Sequence, residues 1–222
     1  MNKIRLAVLF GGISGEHEVS CLSAASILAN LDSTRYQVTP IGISKDGRWY
    51  VQPAWDGREL TVETDPNQEV TIRPAQGLEA AGRPLPLDVV FPITHGICGE
   101  DGRLQGLLDW ARLPYAGGGV LASALGMDKA VAKQLWASLG LPVVPSVTLR
   151  PEDNAGESAR LAAWGRSVKA LGLPLFVKPA NSGSSVGVAK VASYEAFQPA
   201  LDAAFAVDRK VLVETAVNGR EI

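Results

Sequence analysis

The segment Phe176-Val-Lys-Pro-Ala-Asn-Ser-Gly-Ser-Ser-Val-Gly-Val-Ala-Lys190 organises everything else in this chain. Its beginning, Leu175 to Lys178, reads as a short buried strand ending in a lysine, and Val186 to Val191 reads as a second strand alternating with Gly and Lys. Between them Asn181-Ser-Gly-Ser-Ser-Val-Gly187 is small and polar. Its amides can approach an anion closely, its hydroxyls can donate, and Lys178 adds a positive charge, so the segment reads as a phosphate lid. A flexible Gly/Ser hairpin is the plainer reading of these residues alone. The common phosphate loop is excluded, because it needs a Lys directly after its second Gly and then a helix.

The chain has 222 residues, of which 46% are hydrophobic and 20% charged, enough for one large domain or two small ones. A formal net charge of -2, with no Lys/Arg block, argues against nucleic acid or an acidic membrane as partner and points to a small ligand. Cys21 and Cys98 lie far apart and outside any Cys-x-x-Cys pair, which suits a reducing cytosol better than zinc or a disulfide framework. The opening apolar run is too short for a signal peptide or a membrane span, so it reads as a first strand.

Ile4 to Phe10 is a β-type run, Gly11-Gly12 a turn, and Leu22, Ala25, Leu28 and Leu31 a helical stripe; Tyr36 to Ile43 then returns as a strand. The opening is therefore βαβ, the sheet is expected to be parallel, and the turn lies where open α/β sheets bind ligands. Residues from about Pro53 to Pro86 read as an insertion with short strands. The sheet resumes at Leu87 to Thr94, followed by a loop, His95 to Gly102, and a helix, Arg103 to Ala111. A tight glycine turn, Leu113-Pro-Tyr-Ala-Gly-Gly-Gly119, precedes Val120 to Lys129, which leads into a helix ending at Gly140. Beyond it come a strand with prolines, Leu141 to Leu149, a helix, Ser158 to Leu171, the lid, a helix from Tyr194 to Ala206, and a last strand, Lys210 to Glu214.

A lid between two antiparallel strands is the ATP-grasp arrangement, and Lys178-Pro-Ala-Asn-Ser-Gly-Ser-Ser-Val-Gly187 resembles the corresponding loop of the D-alanine–D-alanine ligases. Three more segments are similar to motifs of that family and stand in its order: Leu9-Phe-Gly-Gly-Ile-Ser-Gly-Glu-His-Glu-Val-Ser20, His95-Gly-Ile-Cys-Gly-Glu-Asp-Gly-Arg-Leu-Gln-Gly106 and Ala122-Ser-Ala-Leu-Gly-Met-Asp-Lys129. The implied fold is α/β: an N-terminal parallel-sheet domain of pre-ATP-grasp type over 1–122, then the first ATP-grasp lobe over 123–217. Residues 218–222 would begin a second lobe that is absent.

The resemblance implies an ATP-dependent ligase that converts one D-alanine to an acyl phosphate, which the amine of a second attacks to give the dipeptide of peptidoglycan. A carboxylate is a poor electrophile, and phosphorylation supplies its leaving group. Glu16 would contact the ammonium of the first D-alanine and His95 its carboxylate, while Ser184 would orient the substrate-binding glutamate and the lid. Lys129 and Lys178 would hold phosphates of ATP, with Ser184 and Ser185 in the lid above them. Glu214, Thr215, Ala216 and Val217 would present backbone groups and the Glu214 side chain to adenine, and Glu221 would accept from ribose hydroxyls. Mg²⁺ or Mn²⁺ is implied, with ligands in the absent lobe, and a homodimer in the cytoplasm is the family's expectation. These 222 residues alone are therefore expected not to turn over, and the choice of second substrate is expected to lie outside them.

The neighbours of these residues read more simply. His17 and Glu18 are expected at a helix terminus, and Ser20 as a helix cap or a partner of Glu16. Glu100 and Asp101 point apart and are expected to cap the helix that follows, and Cys98 reads as a small loop residue without a base. Another ATP-grasp carboxylate–amine ligase, including a D-lactate-using one, and a non-catalytic nucleotide-binding module remain the alternatives.

Overall fold

The computed structural model describes residues 2–151, 165 and 168–220. The chain divides into two compact units, Met1–Ala124 and Leu125–Ile222. In the first, the elements in order are β1 (Ile4–Gly11), α1 (His17–Asn30), β2 (Tyr36–Ile43), β3 (Trp49–Val51), β4 (Val70–Arg73), β5 (Gly77–Ala80), β6 (Arg83–Pro84), β7 (Val89–Pro92), α2 (Arg103–Trp110) and the start of α3 (Val120–Met127).

β1 is the centre of a sheet ordered β3-β2-β1-β7 and pairs in parallel with both β2 and β7, Leu6 lying opposite Val38 and Val89. Its apolar run is continuous because both faces are buried. Leu6, Val8 and Phe10 pack with Cys21 and Ala24 of α1, whereas Ala7 and Leu9 pack with Leu104 and Leu108 of α2.

The structure corrects four expectations here. The sheet is parallel across β2-β1-β7 as expected, but β3 runs antiparallel to β2 at its edge. The strand expected over Leu87 to Thr94 is confined to β7. The stretch expected to be an insertion with short strands does form them, as a three-stranded antiparallel sheet β4-β5-β6, but its Val70, Leu78 and Ala80 complete the core over α2. α1 buries His17, Ser20, Cys21 and Ala24, while Leu22 is 67% exposed. The apolar stripe holds at Leu28 and Leu31, which pack against the core, and fails at Leu22 because the first turn of α1 is anchored to the strand ends by polar groups.

The second unit contains α4 (Lys129–Ser138), β8 (Ser146–Leu149), β9 (Leu175–Pro179), β10 (Ala189–Val191), α5 (Phe197–Phe205) and β11 (Val211–Thr215). Its sheet, ordered β10-β9-β11-β8, is antiparallel throughout. Alternation along β11 sorts the two faces. Val211 and Val213 join Val177 and Leu201 in the core under α5, and Leu212 on the opposite face packs with Ala130 of α4 and with Ala180.

β8 begins only at Ser146, after Pro142 and Pro145, which have no N–H to give a ladder. β10 begins at Ala189 rather than Val186, because the Val186 and Val188 N–H groups close turns onto Gly183 and Ser185, both at 3.1 Å. The helix expected to end at Gly140 is α4, and the stretch leading into it forms a helix of its own, α3, separated from α4 at Asp128. Of the helix expected over Ser158 to Leu171, only residues 165 and 168–171 are described, and they are helical.

Candidate functional site

Each unit carries one cluster of the residues singled out above. In the first unit, β1 and β7 run in parallel, so the turns after them emerge at the same carboxyl end of the sheet. Gly11 and Gly12 have φ of +82° and +109°, and a Cβ on Gly11 would stand 2.3 Å from the Ile43 carbonyl oxygen. Only glycine fits such a turn. Gly96 opens the second loop at φ +68°, and a Cβ there would meet Glu16 Oε2 at 2.7 Å.

Glu16 and the His95 loop are thereby brought together. Ser14 Oγ donates to the His95 carbonyl at 2.8 Å and accepts from the Glu16 N–H at 3.2 Å. The His95 ring is turned to Ser23, with Nε2 at 3.3 Å from its Oγ.

The loop is held from inside. Glu100 accepts from the Gly96 N–H at 2.7 Å, and Gln105 Nε2 donates to the Gly99 carbonyl at 3.0 Å. Asp101 accepts from the Cys98 N–H at 2.9 Å and the Arg103 N–H at 3.2 Å. The capping expected of this pair is thus partial: Asp101 reaches the first residue of α2, Glu100 staples the loop, and Gly102 at the N-cap supplies no side chain.

Ser20 is neither a helix cap nor a side-chain partner of Glu16. Its buried Oγ accepts from the Gly11 N–H at 2.8 Å and donates to the Ile93 carbonyl at 2.7 Å, pinning α1 to the ends of β1 and β7. His17 is also buried, and its Nδ1 lies 2.8 Å from the Gly12 carbonyl oxygen. A carbonyl only accepts, so Nδ1 carries the proton.

In the second unit, Lys129 and Lys178 line a cavity of about 320 Å³ together with Lys133, Trp136, Leu212 and Glu214. Asp128 caps α4 by accepting from the Ala130 and Val131 N–H groups, both at 3.1 Å, and its other oxygen is paired with Lys210. This cap fixes Lys129 at the first helical position. The Lys129 N–H donates to the Ala180 carbonyl at 3.0 Å, and its ammonium donates to the carbonyls of Ala180 and Ser182 at the base of the lid. Burial lowers the Lys129 pKa below the ordinary lysine value, and the nearby charge of Lys178 adds to that; Asp208, Asp128 and Glu214 oppose it.

Glu214 points from β11 into the same cavity between two cations. Its Oε2 accepts from Lys133 Nζ at 2.8 Å, and its Oε1 is paired with Lys178. Burial pushes its carboxyl pKa up, but the bonds from Lys133 and Lys178 outweigh that and hold it below the ordinary value. Lys133 was missed in the sequence, although its spacing of four from Lys129 places both on one helical face.

The lid is anchored at its start by Asp208, whose Oδ2 accepts from the Asn181 N–H at 2.8 Å and from its Nδ2 at 2.9 Å. Ser184 and Ser185 adopt left-handed φ of +47° and +59°. That conformation costs non-glycine residues energy.

β11 lies inside the sheet, so the backbone groups expected to be presented from Glu214 to Val217 are available only past its end. The Thr215 N–H donates to the Pro145 carbonyl at 3.1 Å and the Ala216 N–H to the Pro174 carbonyl at 3.0 Å. Val217 is the first residue beyond them and is 68% exposed. Glu221 lies outside the described residues.

Comparison with known proteins follows this division. Residues 5–118 match the family described as D-ala D-ala ligase N-terminus, and residues 135–222 the family described as D-ala D-ala ligase C-terminus. D-alanine–D-alanine ligase A of Chromobacterium violaceum is 49% identical over 234 residues, covering 100% of this chain and 63% of its own length. The enzyme of the same name from Escherichia coli K12 is 44% identical over 237 residues, with the same coverage. The chain thus spans about three-fifths of the length of these relatives. Among solved structures, the D-alanine–D-alanine ligase of Coxiella burnetii superposes with a TM-score of 0.84 at 35% identity, over 98% of this chain and 65% of that one. The VanG D-Ala:D-Ser ligase of Enterococcus faecalis gives 0.83 at 33% identity, over 98% and 64%.

Proposed function

The chain belongs to the D-alanine–D-alanine ligase family, and from that premise we propose that it supplies the substrate-binding and first nucleotide-binding parts of an ATP-dependent ligase. The reaction we assign joins two D-alanines for peptidoglycan. The observation that carries it is the cavity in which Lys129, Lys178 and Glu214 converge next to the lid.

The two lysines suit the phosphates of ATP, and the lid, with its left-handed serines, suits the oxygens on their outer side. Trp136 and Leu212 offer apolar surface to a purine. Glu214 would accept from the adenine amino group. With the Thr215 and Ala216 N–H groups engaged internally, Val217 would present the first backbone donor to the ring. Glu221 is assigned to the ribose hydroxyls.

In the first unit, Glu16 would pair with the ammonium of a D-alanine and His95 would face its carboxylate. Transfer of the terminal phosphoryl group to that carboxylate forms an acyl phosphate and releases ADP. The amine of the second D-alanine then attacks the acyl carbon, and inorganic phosphate leaves with the bonding electrons. A divalent cation, Mg²⁺ or Mn²⁺, would neutralise phosphate charge when bound. Among the described residues no three acidic, His or Cys side chains group together to hold one.

The test is release of phosphate and formation of D-alanyl-D-alanine from ATP, Mg²⁺ and D-alanine, in the protein extended to the length of its relatives. Activity that falls on the order of a hundredfold in Lys178→Met is the expected result. Phosphate release that does not depend on D-alanine would overturn the substrate. Replacing the second D-alanine by D-serine or D-lactate in the same assay identifies the acceptor.

A further inference from the structure

Three lysines surround one carboxylate in the second unit, and the reading above uses only two of them. Lys133 is the third. Its Nζ donates to Glu214 Oε2 at 2.8 Å, with the side chains only 12% and 15% exposed. The other oxygen of Glu214 belongs to Lys178. The carboxylate is therefore divided between a cation on α4 and a cation on β9.

The two cations differ in what else they are asked to do. Along α4, Lys129 lies at the lid end, where it reaches Ala180 and Ser182, and Lys133 lies one turn further on, toward Trp136. Resting on the ATP reading, Lys178 divides its three donors between Oε1 and a phosphate, whereas Lys133 keeps Oε2. Without that second cation, a buried carboxylate would take up a proton and become a donor as well as an acceptor. Kept ionised, it accepts only. An acceptor-only group welcomes the 6-amino group of adenine and repels the 6-oxo oxygen of hypoxanthine or guanine.

We propose that Lys133 is a positioning residue for purine selectivity, holding Glu214 ionised and in place for the adenine amino group while Lys178 serves the phosphates. The experiment compares ATP with ITP in steady-state ligation of D-alanine, again in the protein extended to the length of its relatives. In Lys133→Met, KM for ATP rises on the order of tenfold, and the preference for ATP over ITP in kcat/KM falls by a similar factor. The kcat changes by less than about threefold, as for loss of a ground-state contact. Lys133→Arg, which keeps the charge, retains most of the preference.

An unchanged preference in Lys133→Met overturns the proposal. So does an equal loss of kcat with both nucleotides, which would make Lys133 a phosphate contact. If Lys133→Met fails to fold, Glu214→Gln and Glu214→Gln/Lys133→Met decide, since neither leaves a carboxylate without its cation. Equal preferences in the two support the proposal, and a further loss in the double variant overturns it. A parent protein that turns over neither ATP nor ITP overturns the ATP reading itself, and with it the role of Lys133.

Discussion

Asp88 illustrates what a single pair of residues does in the first unit. It accepts from the Arg5 guanidinium and from the Arg5 N–H at 2.8 Å, and these bonds, the guanidinium's first, hold its carboxyl at about 2, below the ordinary 3.8. The folded protein therefore binds fewer protons than the unfolded chain in that interval. Stability from this group is fully present above the ordinary value and is lost as the pH falls toward about 2. In an NMR titration the Asp88 carboxyl is expected to have its midpoint near 2 and to move up in Arg5→Met; an ordinary midpoint in the parent would contradict the pairing. The two side chains are solvent-exposed, so the effect on global stability is small. None of this was legible beforehand, because the partners lie 83 residues apart. The pairing of Lys133 with Glu214, 81 residues apart, was hidden for the same reason, whereas Lys129 and Lys178 could be found because each sits in a local motif.

At the scale of elements, Ser20 does the most with the fewest atoms. One hydroxyl on α1 satisfies the Gly11 N–H at the end of β1 and the Ile93 carbonyl just past β7, both buried. Ser20→Ala leaves those backbone groups without their partner, at a cost of about 1–3 kcal/mol. A lower urea midpoint with an unchanged m-value is the expected result, and a midpoint shift within error would show that the backbone finds another partner. The same bond explains why Leu22, at the start of the apolar stripe, faces outward while Leu28 and Leu31 further along pack against the core. Periodicity locates a helix, but which way it turns depends on anchors at its end. The strands of the lid were legible because a glycine-rich turn between two apolar runs is a local signal. The start of β10 was not, since it is set by turns that close back onto Gly183 and Ser185.

For the whole molecule, ligand linkage offers the clearest check. ADP at a hundred times its Kd should stabilise the protein, extended to the length of its relatives, by about 2.7 kcal/mol. The upward shift of the urea midpoint should vanish in Lys129→Met/Lys178→Met; persistence there would place the nucleotide elsewhere. Burial, and then the charge of Lys178, lowers the Lys129 pKa, and a bound phosphate raises it again, so ADP binding takes up a proton. Affinity should accordingly fall as the pH rises through the alkaline range below 10.5, the ordinary lysine value. The amino-acid sequence alone determined the βαβ opening, the lid and the family, because apolar runs, glycine turns and motif order are written in neighbouring residues. Only the tertiary structure decided that the stretch read as an insertion is core, that β11 lies inside its sheet, and that Glu214 is shared between Lys133 and Lys178. Those facts depend on which distant strands pair and which distant charges meet, and burial and hydrogen bonding settle that only once the chain has folded.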